Sequence, residues 1–493
     1  MSGEEVRQYS IGDESKRVGI SFLSTKATGI ATAGFLLCVL CMMTSRWLAV
    51  LFFLVITLIL VAAVQIRPRH RSVAEWMQLR LQAWWRKWTG RNTRVTGPES
   101  TTQGGQFTHP GLAERLKVYE GTDVAGRRFA AVVDYPARRA TVLLDMKLSG
   151  AVDRTLDERN QITAEWARWE AQLSTKSGDV DSAVTVITTR PSNGSLINRE
   201  IAFLEGGDEA PEIAKEICRE VGNLPREGVA EIDAHQAITY KIKANGPDDA
   251  GFMRQLSLRL PALYRGLNLA GVRSTPMDAE ALIGRTKARY TPGSEDLLEE
   301  LRVRGVAHGL GWDDIGPSVD YEMGDAYYHD GVWTKGFEMT RFPASTFEDG
   351  GPLYHLLAPH PRVVRKSLVM VYRPFGAAEG MGRVESENIN ARNQISGEGN
   401  KAKGASEVRL EHTEAARRAF ARGHQLGRRS LYLTTTTGLG VDLDSVEEDV
   451  KEMSGAGGIE MHPITGWNDT VFLASLGIGQ LPSSRASTYE FLR

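Results

Sequence analysis

The 493-residue sequence contains no Gly-Lys dipeptide. A phosphate loop of the form G-x-x-x-x-G-K-[ST] requires one, because backbone N–H groups and the lysine together cradle the phosphates. A standard nucleoside triphosphatase is thereby excluded; "GEGNKAKG" is the nearest Gly/Lys-rich piece and fails the spacing. The zinc signature H-E-x-x-H and the nucleophile elbow G-x-S-x-G are also missing,. "GLGVDLD" and "GIGQLP" lack the third glycine and the strand context of a dinucleotide site,. Cysteine is scarce: Cys38, Cys41 and Cys218 are too few for a disulfide framework,. Cys38 and Cys41 spell C-x-x-C inside an apolar run, where two small side chains on one helix face account for them better than redox chemistry does. Neither cofactor nor metal is expected.

Basic charge is missing from most of the chain. Residues 1–100 carry 13 Lys/Arg against 6 Asp/Glu, about +7; with a net charge of −2, about −9 remains for the rest. A nucleic-acid module would need a basic face of its own. Direct sequence-specific nucleic-acid binding is not expected.

What is present begins with two apolar runs, about Ala27–Met43 and Trp47–Ile66, on either side of Thr44-Ser45-Arg46. One helix through both would be about 60 Å long, twice the hydrocarbon core of a bilayer. It would also carry Arg46 through the bilayer centre at a cost of a few kcal/mol. Two antiparallel spans avoid both problems. They make Arg46 the turn and put Trp47 at the interface, where its ring prefers to be. A cleaved signal peptide is a poor fit, because the preceding segment is long and contains Glu4, Glu5, Asp13 and Glu14,. Arg67, Arg69, Arg71, Arg80, Arg86, Lys87, Arg91 and Arg94 follow the second run against Glu75 alone. The positive-inside rule then puts both termini and the bulk of the chain in the cytoplasm, on a multi-pass inner-membrane anchor.

Between Ser72 and Thr89, Val73, Met77, Leu81, Trp84 and Trp88 fall on one helical face, widened by Trp76 and Trp85,. Trp together with Arg/Lys fits a helix lying in the headgroup layer of an anionic membrane; the alternative is a helix packed on the protein's own core. The expected membrane-interface residues are Arg46, Trp47, Arg67, Arg69, Arg71, Trp76, Trp84, Trp85, Arg86, Lys87 and Trp88.

Asn92–Gly111 is rich in Gly, Ser and Thr without apolar period and reads as linker,. Beyond it, "RRFAAVVDY" and "RRATVLLDMKL" predict a hairpin across Pro136-Ala137. Asp153–Leu173 predicts a helix and "SAVTVITTR" a strand. "APEIAKEICREV" predicts a helix, "EIDAHQAITYKIKA" a strand, and the helix after it is expected to kink at Pro261. A second series starts near Asp320. It has a hairpin across Asp330-Gly331, strands "RVVRKSLVMVYRPF" and "RRSLYLTTTT", and helices at Ser406–Gly423 and "LDSVEEDVKEM". Two lobes of similar size and element order emerge. The expected class is α+β, a transmembrane helical hairpin followed by two cytosolic mixed α/β lobes. The boundaries are 1–25 N-terminal tail, 26–66 hairpin, 67–91 interfacial helix, 92–125 linker, 126–315 first lobe and 316–493 second lobe.

Candidate chemistry is sparse. His329 lies near Asp325 and Asp330 in the predicted hairpin, where a turn is the ordinary explanation. His355 and His360 are poorly spaced for one helical face, and adjacent Asp313 and Asp314 do not face each other.

The hairpin followed by "RHRSVAEWMQLRLQAWW" resembles the small PrgI-type inner-membrane subunit of conjugation clusters. "ATVLLDMKLSGAVDRTLDERNQITAEWARWEAQLS" with "VTVITTRPSNG" is similar to the N-terminal region of the conjugation ATPase, through Leu148-Ser149-Gly150, Trp166, Trp169 and Arg190-Pro191. "GVWTKGFEMTRFPAS" and "RRAFARGHQLGRRSLYLTTTT" are similar to later strands of that region. The chain thus resembles actinobacterial integral membrane proteins of conjugation, or type IV secretion-like, clusters. In those ATPases a nucleotide-binding domain follows this region; no phosphate loop exists here. The resemblance implies a non-enzymatic scaffold docking a P-loop ATPase on a separate chain, beside other secretion-channel subunits and further copies of itself. Two alternatives are a membrane core subunit of type VII secretion and a membrane-tethered enzyme acting around Asp325, His329 and Asp330.

Overall fold

The computed structural model describes residues 25–43, 47–66, 73–90, 92–148, 154–174, 179–191, 211–223, 230–243, 249–341, 351, 353–398, 404–421 and 426–482. The protein is a mixed α/β molecule built on one 13-stranded sheet whose strand pairs are all antiparallel.

Three helices come first: α1 (Thr25–Met43), α2 (Trp47–Gln65) and α3 (Val73–Trp88). α1 and α2 pack side by side and antiparallel. Gly34 sits so close to Thr57 that a Cβ there would come within 2.1 Å of its hydroxyl, and Cys38 Sγ lies 3.8 Å from the Val50 carbonyl. Among the described residues one helix, over Trp47–Val64, is long and apolar enough to cross a membrane; Gly29–Met43 is a shorter apolar helix.

The sheet contains two copies of one unit. The first runs β2 (Lys117–Thr122), β3 (Arg128–Asp134), β4 (Arg139–Lys147), α4 (Leu156–Leu173), β5 (Val180–Pro191), α5 (Glu212–Asn223), β6 (Ala230–Lys241), α6 (Asp249–Leu269), β7 (Arg273–Pro276), α7 (Ala279–Tyr290). After α8 (Glu295–Arg304) the second runs β8 (Val319–Glu322), β9 (Tyr327–His329), β10 (Val332–Arg341), α9 (Tyr354–Leu357), β11 (Arg365–Pro374), α10 (Ala377–Glu398), α11 (Gly404–Ala421), β12 (Gly427–Gly438), α12 (Leu443–Ala456), β13 (Glu460–Pro463), α13 (Asn468–Ser475). The spatial orders β2-β3-β4-β6-β5 and β8-β9-β10-β12-β11 are the same, and β7 on β4 is matched by β13 on β10.

Register extends the match to single residues. Leu144 faces Pro276 as Phe337 faces Pro463. Thr141 Oγ1 lies 2.9 Å from Thr239 Oγ1, and Thr334 Oγ1 lies 2.9 Å from Thr436 Oγ1 at the equivalent place. β5 and β11 both end in Arg-Pro, at 190–191 and 373–374. These two strands pair antiparallel with each other, and the equivalent residues Val186 and Val369 are direct partners. An approximate twofold axis therefore passes through that pair and relates the repeats.

The expected two lobes are thus two halves of one sheet, not two separate bodies: the first lobe's β5 hydrogen-bonds the second lobe's β11. One core is continuous across the seam. Val184, Val186, Val369 and Val371 pack there beneath α7 and α13 with Tyr290, Phe472 and Leu473. Fully burying each valine contributes about 1.5–3 kcal/mol. The opposite face carries a core per repeat, under α4 and α6 in the first and under α9 and α12 in the second. Trp169 anchors the former. Its Nε1 donates to the Leu263 carbonyl at 3.1 Å, and Gly266 leaves room for the indole. Arg190 closes one end of the seam, pairing with Glu231 and Glu299 at 2.5 Å each.

Local chemistry explains the boundaries. A capping box of Thr155 and Glu158 starts α4,. The β9–β10 turn places Asp330 at φ 40° and Gly331 at φ 88°, as a type I′ hairpin requires,. Pro261 lies inside α6 without ending it. The expected linker 92–125 is folded instead. β1 (Thr93–Val95) pairs with β8, Thr96 Oγ1 donates to the Pro317 carbonyl at 2.6 Å, and β2 begins at Lys117. Its order comes from backbone pairing and single insertions such as His109 against Trp312, which leave no apolar period in the sequence.

Candidate functional site

The candidate site lies where the apolar helices join the sheet. α2 is apolar on every side and exposed, with Leu48 85% and Leu58 68% accessible. A helix that is hydrophobic all round needs a nonaqueous surround or a protein cover. The Val73 N–H donates to the Ile66 carbonyl at 3.1 Å, tying the start of α3 to the end of α2. α3 ends where Thr89 Oγ1 turns back to the Trp85 carbonyl at 2.9 Å and Gly90 adopts φ 66°. β1 follows almost at once, so α3 is fastened directly to the sheet edge.

Much of the apolar stripe of α3 is exposed among the described residues. Met77, Leu81, Trp84, Trp85 and Trp88 are all exposed, Trp88 by 72%, and Trp84 and Trp88 stack with ring centroids 6.2 Å apart. Trp47 is exposed at the start of α2 and Lys87 on α3. Trp76 belongs to α3, its side chain lying outside the described residues, as do Arg46, Arg67, Arg69 and Arg71. Among the described residues, then, Met77, Leu81, Trp84, Trp85 and Trp88 stay outside the protein's core.

Arg86 does something else. Between α3 and the second repeat is a cleft of about 210 Å³, lined by Gln82, Trp84, Arg86, Lys87 and Asn92 on one side and Glu322, Met323, Gly324 and Gly466 on the other. Behind it sit two carboxylates. Glu322 accepts from Asn468 Nδ2 at 3.1 Å and from the Asp469 N–H at 3.0 Å. Burial, reinforced by the Asp469 charge, pushes the Glu322 carboxyl up to about 8. Burial raises Asp469 as well, and the positive charge of Arg86 opposes that rise. Arg86, expected among the membrane-interface residues, thus lines the cleft within electrostatic reach of Asp469. Sequence reasoning missed Glu322, Asn468 and Asp469. They are isolated in the chain, and nothing short of the fold brings the end of β8 to the start of α13.

The other candidates are structural. His329 is fully buried, with Nδ1 2.6 Å from the Tyr290 carbonyl and Nε2 2.8 Å from Thr334 Oγ1, and burial lowers it to about 4. Asp330 holds its turn by accepting from the Ser318 N–H at 2.7 Å and from Thr291 Oγ1 at 2.5 Å. Asp325 is exposed. The three do not converge. His360 pairs with Asp449 at 3.6 Å, away from His355, and Asp314 receives the Gly311 N–H at 3.1 Å. Among the described residues no three His, Cys, Asp or Glu side chains are grouped to hold a metal ion.

No protein-family model and no curated protein matches the chain.

Proposed function

We propose that the protein is a non-enzymatic inner-membrane scaffold subunit of a conjugative, type IV-like secretion machine. One observation carries the membrane part: an exposed apolar helix is tied by the Val73–Ile66 hydrogen bond to a helix whose described Trp residues are also exposed, and that helix leads into a folded body. A bilayer covers both surfaces at once, with α2 across the hydrocarbon and α3 in the headgroup layer. α1, 19 residues long, spans about 28 Å at 1.5 Å per residue. It crosses beside α2.

The scaffold part rests on the resemblance to conjugation-cluster membrane proteins together with the absence of a phosphate loop. The sheet body, held at the cytoplasmic surface, docks a P-loop ATPase from another chain, next to other channel subunits and further copies of itself.

The topology is tested with single cysteines in a chain otherwise free of them. Arg46→Cys is expected to react with a membrane-impermeant maleimide in intact cells, and Glu300→Cys only after permeabilisation. The reverse pattern sinks the orientation. For the partner, crosslinking in native membranes followed by mass spectrometry is expected to recover a P-loop ATPase; recovery of none removes the docking role.

A further inference from the structure

We infer that the cleft at the foot of α3 is a headgroup pocket for one anionic glycerophospholipid. The inference rests on the membrane reading of α2 and α3 and adds a specific ligand to it. At about 210 Å³ the cleft is smaller than the ~300–1,000 Å³ of drug-sized sites. It suits a phosphate with its glycerol and excludes a whole lipid, whose chains would stay in the bilayer. Its walls divide by chemistry. Arg86 and Lys87 supply cations for a phosphate, Gln82 and Asn92 offer amides for glycerol hydroxyls, and Trp84 and Met323 give carbon surface where acyl chains would leave. Indole rings prefer this depth of the interface.

The opposite wall is backbone. Gly324 and Gly466 have φ of 92° and 76°, and a Cβ on either would point into open space. No side chain from these positions fills the cleft. The one carboxylate on the lining, Glu322, has each oxygen accepting from a donor behind it, Asn468 Nδ2 and the Asp469 N–H. The pocket does not belong to the duplicated unit. It lies where the chain enters the sheet from α3, against the second repeat, as expected of a feature tied to the membrane anchor.

The test uses the full chain in nanodiscs of equimolar phosphatidylcholine and phosphatidylglycerol, released from the disc and weighed by native mass spectrometry. One phosphatidylglycerol is expected to remain bound in preference to phosphatidylcholine. Lys87→Gln is expected to lower that retention about fivefold, the effect of one cation near an anionic surface. Met323→Glu, at an exposed position, puts a negative charge at the rim and is expected to abolish it. Equal retention of the two lipids, or retention unchanged by both variants, overturns the pocket. Inorganic phosphate is the second arm: if it binds the detergent-solubilised chain while phosphatidylglycerol is not retained, the site takes free anions and the lipid assignment fails. Carbonate washing of membranes reads the anchor separately. A chain lost to the wash fails as a membrane protein, whereas a chain that stays but retains no lipid fails only here.

Discussion

Val186 and Val369 hold equivalent places in the two repeats and touch across the pseudo-twofold axis. The register makes Ala183 and Lys366, three residues before them, equivalent as well, yet these differ completely. Ala183 packs under α4 and α6. Lys366 is just as buried, its ammonium directed to the Ala358 carbonyl and to Met453 Sδ. The difference follows the cover. The first repeat lays the 18-residue α4 over this face, and among the described residues the second has the four-residue α9 with α12. Strand order and register are the same in both copies, while at this position the side-chain chemistry differs along with the covering helices.

The sharpest way to break that equivalence is a charge on the axis. Val186→Asp and Val369→Asp each bury an unpaired carboxylate and are each expected to cost more than about 4 kcal/mol. By symmetry the two costs should agree within about 1 kcal/mol in urea titrations; a larger gap would mean that the seam is not symmetric. Removing cover comes next. Trp169→Ala is expected to cost about 3–5 kcal/mol and Leu356→Ala about 2–5 kcal/mol. Both should move the same cooperative transition, because the repeats share one sheet. A first repeat that melts alone, by hydrogen exchange, would show two independent bodies.

The threonine pairs give a finer contrast. Thr141→Val removes one hydroxyl contact and is expected to cost about 1 kcal/mol. Thr334→Val also deprives buried His329 Nε2 of its partner, and an unsatisfied group of that kind costs about 1–3 kcal/mol. The second should exceed the first in paired denaturation curves. The last shift, expected from Lys366→Met, has the opposite sign. Burial lowers this lysine from 10.5 to about 8. The folded state therefore resists its proton, a cost fully present below pH 8 and relieved as pH rises from 8 to 10.5. The variant should be more stable than the parent at neutral pH and lose that advantage across this window. A parent profile equally flat over that window would show that Lys366 keeps its proton in the fold.

Much of this was legible beforehand. Alternation and continuous apolar runs located β3, β4, β5, β6, β10, β11 and β12 to within a few residues, and Asp330-Gly331 announced its turn. The similar order of elements in two halves was visible too. The seam was not, because β5 and β11 each read as buried strands and nothing local says that each is the other's neighbour. β1 and β2 escaped because edge strands mix Lys, Glu, Thr and Tyr without a clean period, and β8 because its four residues Val319–Glu322 are too few to show one. At the candidate site the Trp stripe of α3 was readable from helical spacing. The carboxylates facing Arg86 were not, since Glu322 and Asp469 are neighbours only in the fold.

The sheet begins three residues after Gly90, so little chain separates α3 from the body. A pull between the two would load the rungs joining Thr93–Val95 to Val319–Tyr321 before it stretched anything else. The short β1 ribbon is then the mechanical fuse of the molecule. While it stays zipped, every tilt of α3 is handed to the body as to a rigid lever.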